Sequence, residues 1–216
     1  MILSGETEDA RRSRAMAQTA GLTITIAGEL LPLFSGLLTR GFVVEARVGC
    51  SIEELLCGQF GVAKQYLEER VQSLFLDGNA MDDVHAPVIR DGSVLSLSAA
   101  LPGLAGAVLR KGGYYAAMRG RIAQAGGAVT GDEGGAGRVE IRLFNFTARE
   151  LGPLFLKRGI LVRTDDLVAV LADAAERLRK VGATAVLDGK PVAVDELLRS
   201  PLGTADIRLQ VIAAQV

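Results

Sequence analysis

Ser73-Leu74-Phe75-Leu76-Asp77-Gly78-Asn79 reads as a short apolar strand running into a turn, and Leu187-Asp188-Gly189 repeats its end in the second half of the chain. Working outward from these two turns, further matches fall in the same order. Pro32-Leu33-Phe34 is answered by Pro153-Leu154-Phe155, Arg40-Gly41 by Arg158-Gly159, and Phe42-Val43-Val44 by Ile160-Leu161-Val162. A single shared dipeptide is chance, whereas a set in constant order points to duplication.

The elements around the first turn follow from periodicity. Leu22-Thr23-Ile24-Thr25-Ile26 alternates with period two and is β-branched, so it is a strand with Leu22, Ile24 and Ile26 on one face. A helical turn closed by Gly41 leads to a second strand at 42–48. Ser51 and Glu54 form a capping-box pattern, after which Ile52, Leu56, Phe60, Ala63, Leu67 and Val71 recur on one helix face. Gly58 and Gly61 each weaken that helix by roughly 1 kcal/mol and are positioned to split it. Past the Asp77-Gly78 turn, a second turn at Asp91-Gly92 precedes a strand at 94–98.

The second half opens with a strand at 139–143. Its helix begins near Thr164 or Asp165, puts Leu167, Leu171, Ala174, Leu178 and Val181 on one face, carries Arg177, Arg179 and Lys180 in its last turn and stops at Gly182. It lacks internal glycine and is expected to be the steadier of the two. Ile207, Leu209 and Val211 form the last alternating strand.

Strand, strand, helix and further strands is the element order of a β-grasp domain, in which a mixed sheet wraps one helix. The expected fold is α+β: tandem duplicated β-grasp (ubiquitin-like) domains joined by an apolar, Gly-rich linker. The divisions are a disordered N-terminal arm at 1–20, domain 1 at 21–100, the linker at 101–137 and domain 2 at 138–216. Superposing 22–98 on 139–212 is expected to give one topology twice.

Phe75-Leu76-Asp77-Gly78-Asn79-Ala80-Met81-Asp82-Asp83, then 87–97 with its Asp91-Gly92 turn, then Pro102-Gly103-Leu104-Ala105-Gly106, resembles the C-terminal half of the ubiquitin-like sulfur carriers: the molybdopterin-synthase small subunit and the thiamine sulfur carrier. The resemblance implies a β-grasp fold, and in that family a free C-terminal Gly-Gly carries the sulfur. This chain ends Ala213-Ala214-Gln215-Val216, so a carrier role requires cleavage after Gly106 or after Gly113, within Leu109-Arg110-Lys111-Gly112-Gly113.

The linker has its own character. No Asp or Glu occurs from Gly92 through Gly131, while Arg110, Lys111, Arg119 and Arg121 surround Tyr114-Tyr115. Guanidinium groups grip phosphate and rings stack on bases, so this cluster is the candidate anion, nucleotide or partner site; packing against both sheets or a second subunit is the other reading of so apolar a segment.

The remaining inferences are exclusions. A net charge of −1 argues against general nucleic-acid binding. One His and two Cys (His85, Cys50, Cys57) are too few for a zinc cage, and two closely spaced thiols suit a reducing, cytoplasmic setting. The 92–109 run is read as a strand and loop, not a membrane span. Glu53-Glu54, Asp82-Asp83 and Asp165-Asp166 lie at helix starts or turns, where carboxylates cap. There is no phosphate loop or dinucleotide fingerprint, and no catalytic residue, cofactor or metal is assigned. The expected role is a non-enzymatic protein-interaction or self-association module. The alternatives are the processed sulfur carrier, anion or nucleotide binding at the linker, and an enzyme whose site forms between subunits.

Overall fold

The computed structural model describes residues 19–86, 88–99, 134–199 and 205–214. Its strands are β1 (Ala20–Ile26), β2 (Phe42–Arg47), β3 (Ser73–Leu76), β4 (Asn79–Ala80), β5 (Val94–Ser98), β6 (Ala136–Phe144), β7 (Ile160–Arg163), β8 (Thr184–Leu187), β9 (Lys190–Val192) and β10 (Asp206–Ala213). They join in one mixed sheet ordered β4-β3-β5-β6-β2-β7-β10-β1-β8-β9. A 3-10 turn (Gly28–Phe34) runs into α1 (Ser35–Arg40); a π-helical turn (Glu54–Gln59) precedes α2 (Lys64–Glu69). The second half supplies α3 (Phe146–Arg158), α4 (Thr164–Lys180) and α5 (Val194–Arg199), which makes the chain α+β.

The helices expected at 52–71 and from Thr164 follow their sequence signals with three corrections, while α3 and α5 were not expected from the sequence. Leu167, Leu171, Ala174 and Leu178 are buried along α4, Asp165 and Asp166 occupy its first turn, and Arg177, Arg179 and Lys180 its last. The helix ends one residue early, so Val181 is the C-cap and is 40% exposed instead of completing the apolar face. In the first half, Ile52, Leu56, Phe60, Leu67 and Val71 are buried, but the helix breaks where Gly61 adopts φ +76°, and Ala63 is turned out to solvent. Ser51 Oγ accepts the Glu54 amide at 3.1 Å as a capping box requires; the Glu54 carboxylate instead takes Arg47 at 2.6 Å.

Register puts most of the buried apolar side chains of the sheet on one face. Leu95 sits beside Ile141 and Ile141 beside Phe42; Val139 faces Val44, Ile207 faces Val162, and Leu22 faces Leu209. These residues and the helices' apolar faces form one core. Phe155 of α3 is its hub, with ring centroids 5.2 Å from Phe42 and 5.3 Å from Phe60. The opposite face carries Glu45, Arg138, Glu140, Arg142 and Arg208, all partly or fully exposed.

Pairing is symmetric about the seam between β2 and β7. Reading outward through β2, β6, β5, β3 and β4, the ladders are antiparallel, parallel, antiparallel and antiparallel. Reading outward through β7, β10, β1, β8 and β9 gives the same series. The expectation that 22–98 and 139–212 form one sheet topology each is corrected here. β1 lies between β10 and β8 of the second half, and β6 lies between β5 and β2 of the first. β1 therefore occupies the place that β5 holds on the other side, not the place of β6. The physical reason is that an alternating strand buries one face equally well in any slot with that face inward, so its pattern leaves the choice of neighbours to the connections.

Candidate functional site

β2 and β7 are paired at Val43↔Leu161 alone. Each is the second strand of its half and each follows a helix closed by a glycine in left-handed space, Gly41 at φ +122° and Gly159 at φ +99°. Contacts other than the ladder hold the seam: Phe42 against Phe155 in the core, and on the open face Arg208 to Glu45 at 2.5 Å, reaching from β10 to β2 across β7.

Where the ladder stops, the seam opens into a cleft of about 310 Å³, lined by Phe42, Val43, Leu161 and Val162 and by charged residues from α1, β6, β7, α4 and β10. Gly41 gives it room: a Cβ there would lie 2.6 Å from Glu140 Oε1. Two of the lining acids are neutralised. Arg40 pairs with Asp166 at 2.6 Å, and Arg142 holds Glu140 through both Nε and a terminal nitrogen at 2.7 Å. Arg138, Arg163 and Asp206 also line the cleft, and none of them has an ion-pair partner among the described residues.

Two further charged clusters are structural ties. The Tyr66 hydroxyl donates to Glu150 at 2.6 Å and Arg70 donates to the other oxygen at 2.5 Å, joining α2 to α3. The Tyr66 hydrogen bond, seconded by Arg70, holds the Glu150 carboxyl below the usual range; burial, then Glu150, pushes the Tyr66 phenol up. Glu53 accepts Lys64 at 2.9 Å and lies 2.8 Å from His85 Nδ1, so its carboxyl is held low, chiefly by the Lys64 hydrogen bond.

The free thiols Cys50 and Cys57 are both pushed up by burial, with Glu54 and Glu53 respectively adding to it, which is the opposite of what a nucleophilic cysteine needs. The acidic pairs stand where capping and turn chemistry puts them: Asp83 Oδ1 accepts the His85 amide at 2.8 Å, and Asp165 and Asp166 begin α4. Among the described residues no three His, Cys, Asp or Glu side chains gather into a metal site.

The linker candidates Arg110, Lys111, Tyr114, Tyr115, Arg119 and Arg121, the processing candidates Gly106 and Gly113, and the arm at 1–18 lie outside the described residues. No helix among the described residues is long and apolar enough to cross a membrane. The sequence reading missed Arg138, Arg163 and Asp206, which are far apart in the chain and meet only because β6, β7 and β10 flank the seam. The signal within reach was the repeated Arg-Gly that ends each helix and begins each seam strand. No family model, curated protein or solved structure matches the chain.

Proposed function

We propose that the chain is a non-enzymatic binding module, an interlocked duplication of two β-grasp-like units that engages a protein partner through the open face of its sheet. The observation that supports this is the division of the sheet into an apolar face under the helices and an opposite face with Glu45, Arg138, Glu140, Arg142 and Arg208 in mixed sign. Mixed charge on a broad, rigid surface suits a protein partner better than a polyanion. Ser96 and Arg142 are register neighbours on that face and lie outside the core. Ser96→Glu with Arg142→Glu is expected to abolish capture of the partner from the native host while leaving the denaturation midpoint near that of wild type. Unchanged capture would count against this face.

The second reading is the sulfur carrier processed after Gly106 or Gly113. The exchange of β1 and β6 gives it a distinctive expectation, because the two fragments would stay associated after the cut. Denaturing mass spectrometry of protein from the native host would then show two chains where native mass spectrometry shows one complex. A single intact chain under both conditions would remove this reading.

A further inference from the structure

We infer that the seam cleft between β2 and β7 is a binding site for a small molecule carrying an oxyanion, a carboxylate or a phosphate, held by Arg138 and Arg163. The inference does not depend on the partner reading above, though Arg138 and Glu140 belong to both surfaces. Three observations converge on it.

The ladder between β2 and β7 has one pair, leaving a concavity at the seam, and its volume of about 310 Å³ is at the small end of what small-molecule sites offer. Arg138 and Arg163 line the same cleft without ion-pair partners among the described residues, although eight other Arg or Lys side chains are matched to carboxylates. Guanidinium presents paired N–H donors that fit carboxylate and phosphate oxygens two at a time. The acids that would repel such a ligand are tied down, Asp166 by Arg40 and Glu140 by Arg142. The apolar side chains of Val43 and Leu161, which share the cleft's face of the sheet, suit a carbon skeleton behind the anionic group.

Asp206 sets the selectivity. It lines the cleft and is the register partner of Arg163 across β7 and β10. One unpaired carboxylate against two unpaired guanidinium groups leaves a single net positive charge. That favours one oxyanion and disfavours a polyphosphate.

The test is a titration of the full chain followed by amide chemical shifts, with inorganic phosphate and succinate as separate probes and sodium chloride at matched ionic strength as control. The expected result is saturable shifts confined to Gly41–Val43, Arg138 and Leu161–Arg163 with at least one probe, and the probe that saturates at lower concentration identifies phosphate or carboxylate as the preferred group. Arg138→Ala with Arg163→Ala should weaken that binding at least tenfold, and Asp206→Asn should tighten it. The milder Arg138→Lys and Arg163→Lys keep the charge but not the paired donors, and should give an intermediate loss if the double alanine variant fails to fold. The inference is overturned if neither probe gives saturable shifts at the seam beyond those of chloride, or if the shifts persist unchanged in the arginine variants.

Discussion

Asp188 and Gly21 are locked together by two hydrogen bonds across 167 residues of chain: the Gly21 amide donates to Asp188 Oδ1 at 2.7 Å, and the Asp188 amide donates to the Gly21 carbonyl at 2.8 Å. Asp77 and Val94 make the same pair of bonds at 2.7 and 2.8 Å. In both cases the aspartate has left-handed backbone, φ 47° for Asp188 and 51° for Asp77, and is followed by a glycine near φ +80°. One device thus fastens β5 to the β3 turn on one side and β1 to the β8 turn on the other. It identifies β1 as the counterpart of β5 by chemistry, independently of strand order.

Asp188→Ala should therefore loosen the N-terminal strand specifically. The loss of a charge-assisted hydrogen bond costs about 1.5 kcal/mol, and an alanine held at positive φ costs about 1 kcal/mol more. Asp188→Asn keeps an acceptor and tolerates the backbone, so its cost should be well under half as large. Hydrogen exchange checks this: amides of residues 21–26 should lose protection in the alanine variant before those of 94–98 do, and Asp77→Ala should reverse the order.

A chain beginning at residue 28 should not fold in its second half. β1 is an interior strand with seven register pairs to β10 and four to β8, and Leu22, Ile24 and Ile26 are buried in the shared core. Removing three such side chains forfeits on the order of 5–9 kcal/mol at 1.5–3 each, comparable with the whole stability of a typical domain. Circular dichroism of the truncated chain should show lost strand and helix signal, and a synthetic peptide of residues 19–27 added in excess should restore it. Native-like spectra without the peptide would mean that β8 and β10 close over the gap.

Local features were legible in the sequence, and neighbour relations were not. Asp77-Gly78 and Asp188-Gly189 announced their turns because few residue pairs tolerate two successive left-handed conformations. Leu67, Leu171 and Leu178 announced their burial through spacing, and Gly61 the helix break. By contrast, the alternation of Leu22, Ile24 and Ile26 is satisfied beside β10 and β8 as fully as it would be beside β2, since it specifies an inward face and no partner. The seam cleft was hidden for a related reason: Arg138, Arg163 and Asp206 are ordinary strand charges until β6, β7 and β10 place them around one opening.

The tie between Tyr66, Arg70 and Glu150 predicts a pH dependence at both ends of the scale. Glu150 is held below the unfolded glutamate value of about 4.3, so its contribution is full above that pH and is lost as pH falls through the lower folded value. Glu150→Gln should thus be less stable than wild type at neutral pH, and the gap should close in acid. Tyr66 is shifted up from the unfolded tyrosine value of about 10. Above that pH the unfolded chain releases its proton first and wild type loses stability with rising pH, whereas Tyr66→Phe should lack this slope. Urea midpoints measured from acid to alkali for the three proteins check both ends.

The contact between Gly152 of α3 and Leu38 of α1 should show a reversal of sign. A Cβ on Gly152 would press into Leu38 Cδ1, and Leu38 is buried. Alanine normally stabilises a helix interior by about 1 kcal/mol over glycine, but here the overpacked methyl should cost about 1–3 kcal/mol, leaving Gly152→Ala net destabilising. Leu38→Ala alone opens a cavity and should cost about 2–5 kcal/mol. In the Leu38→Ala background the same glycine-to-alanine change meets empty space, so the helix gain should appear and the double variant should be more stable than Leu38→Ala. A double-mutant cycle by urea denaturation reads the coupling directly, and additive costs would show that α1 and α3 do not meet as closely as Gly152 and Leu38 place them.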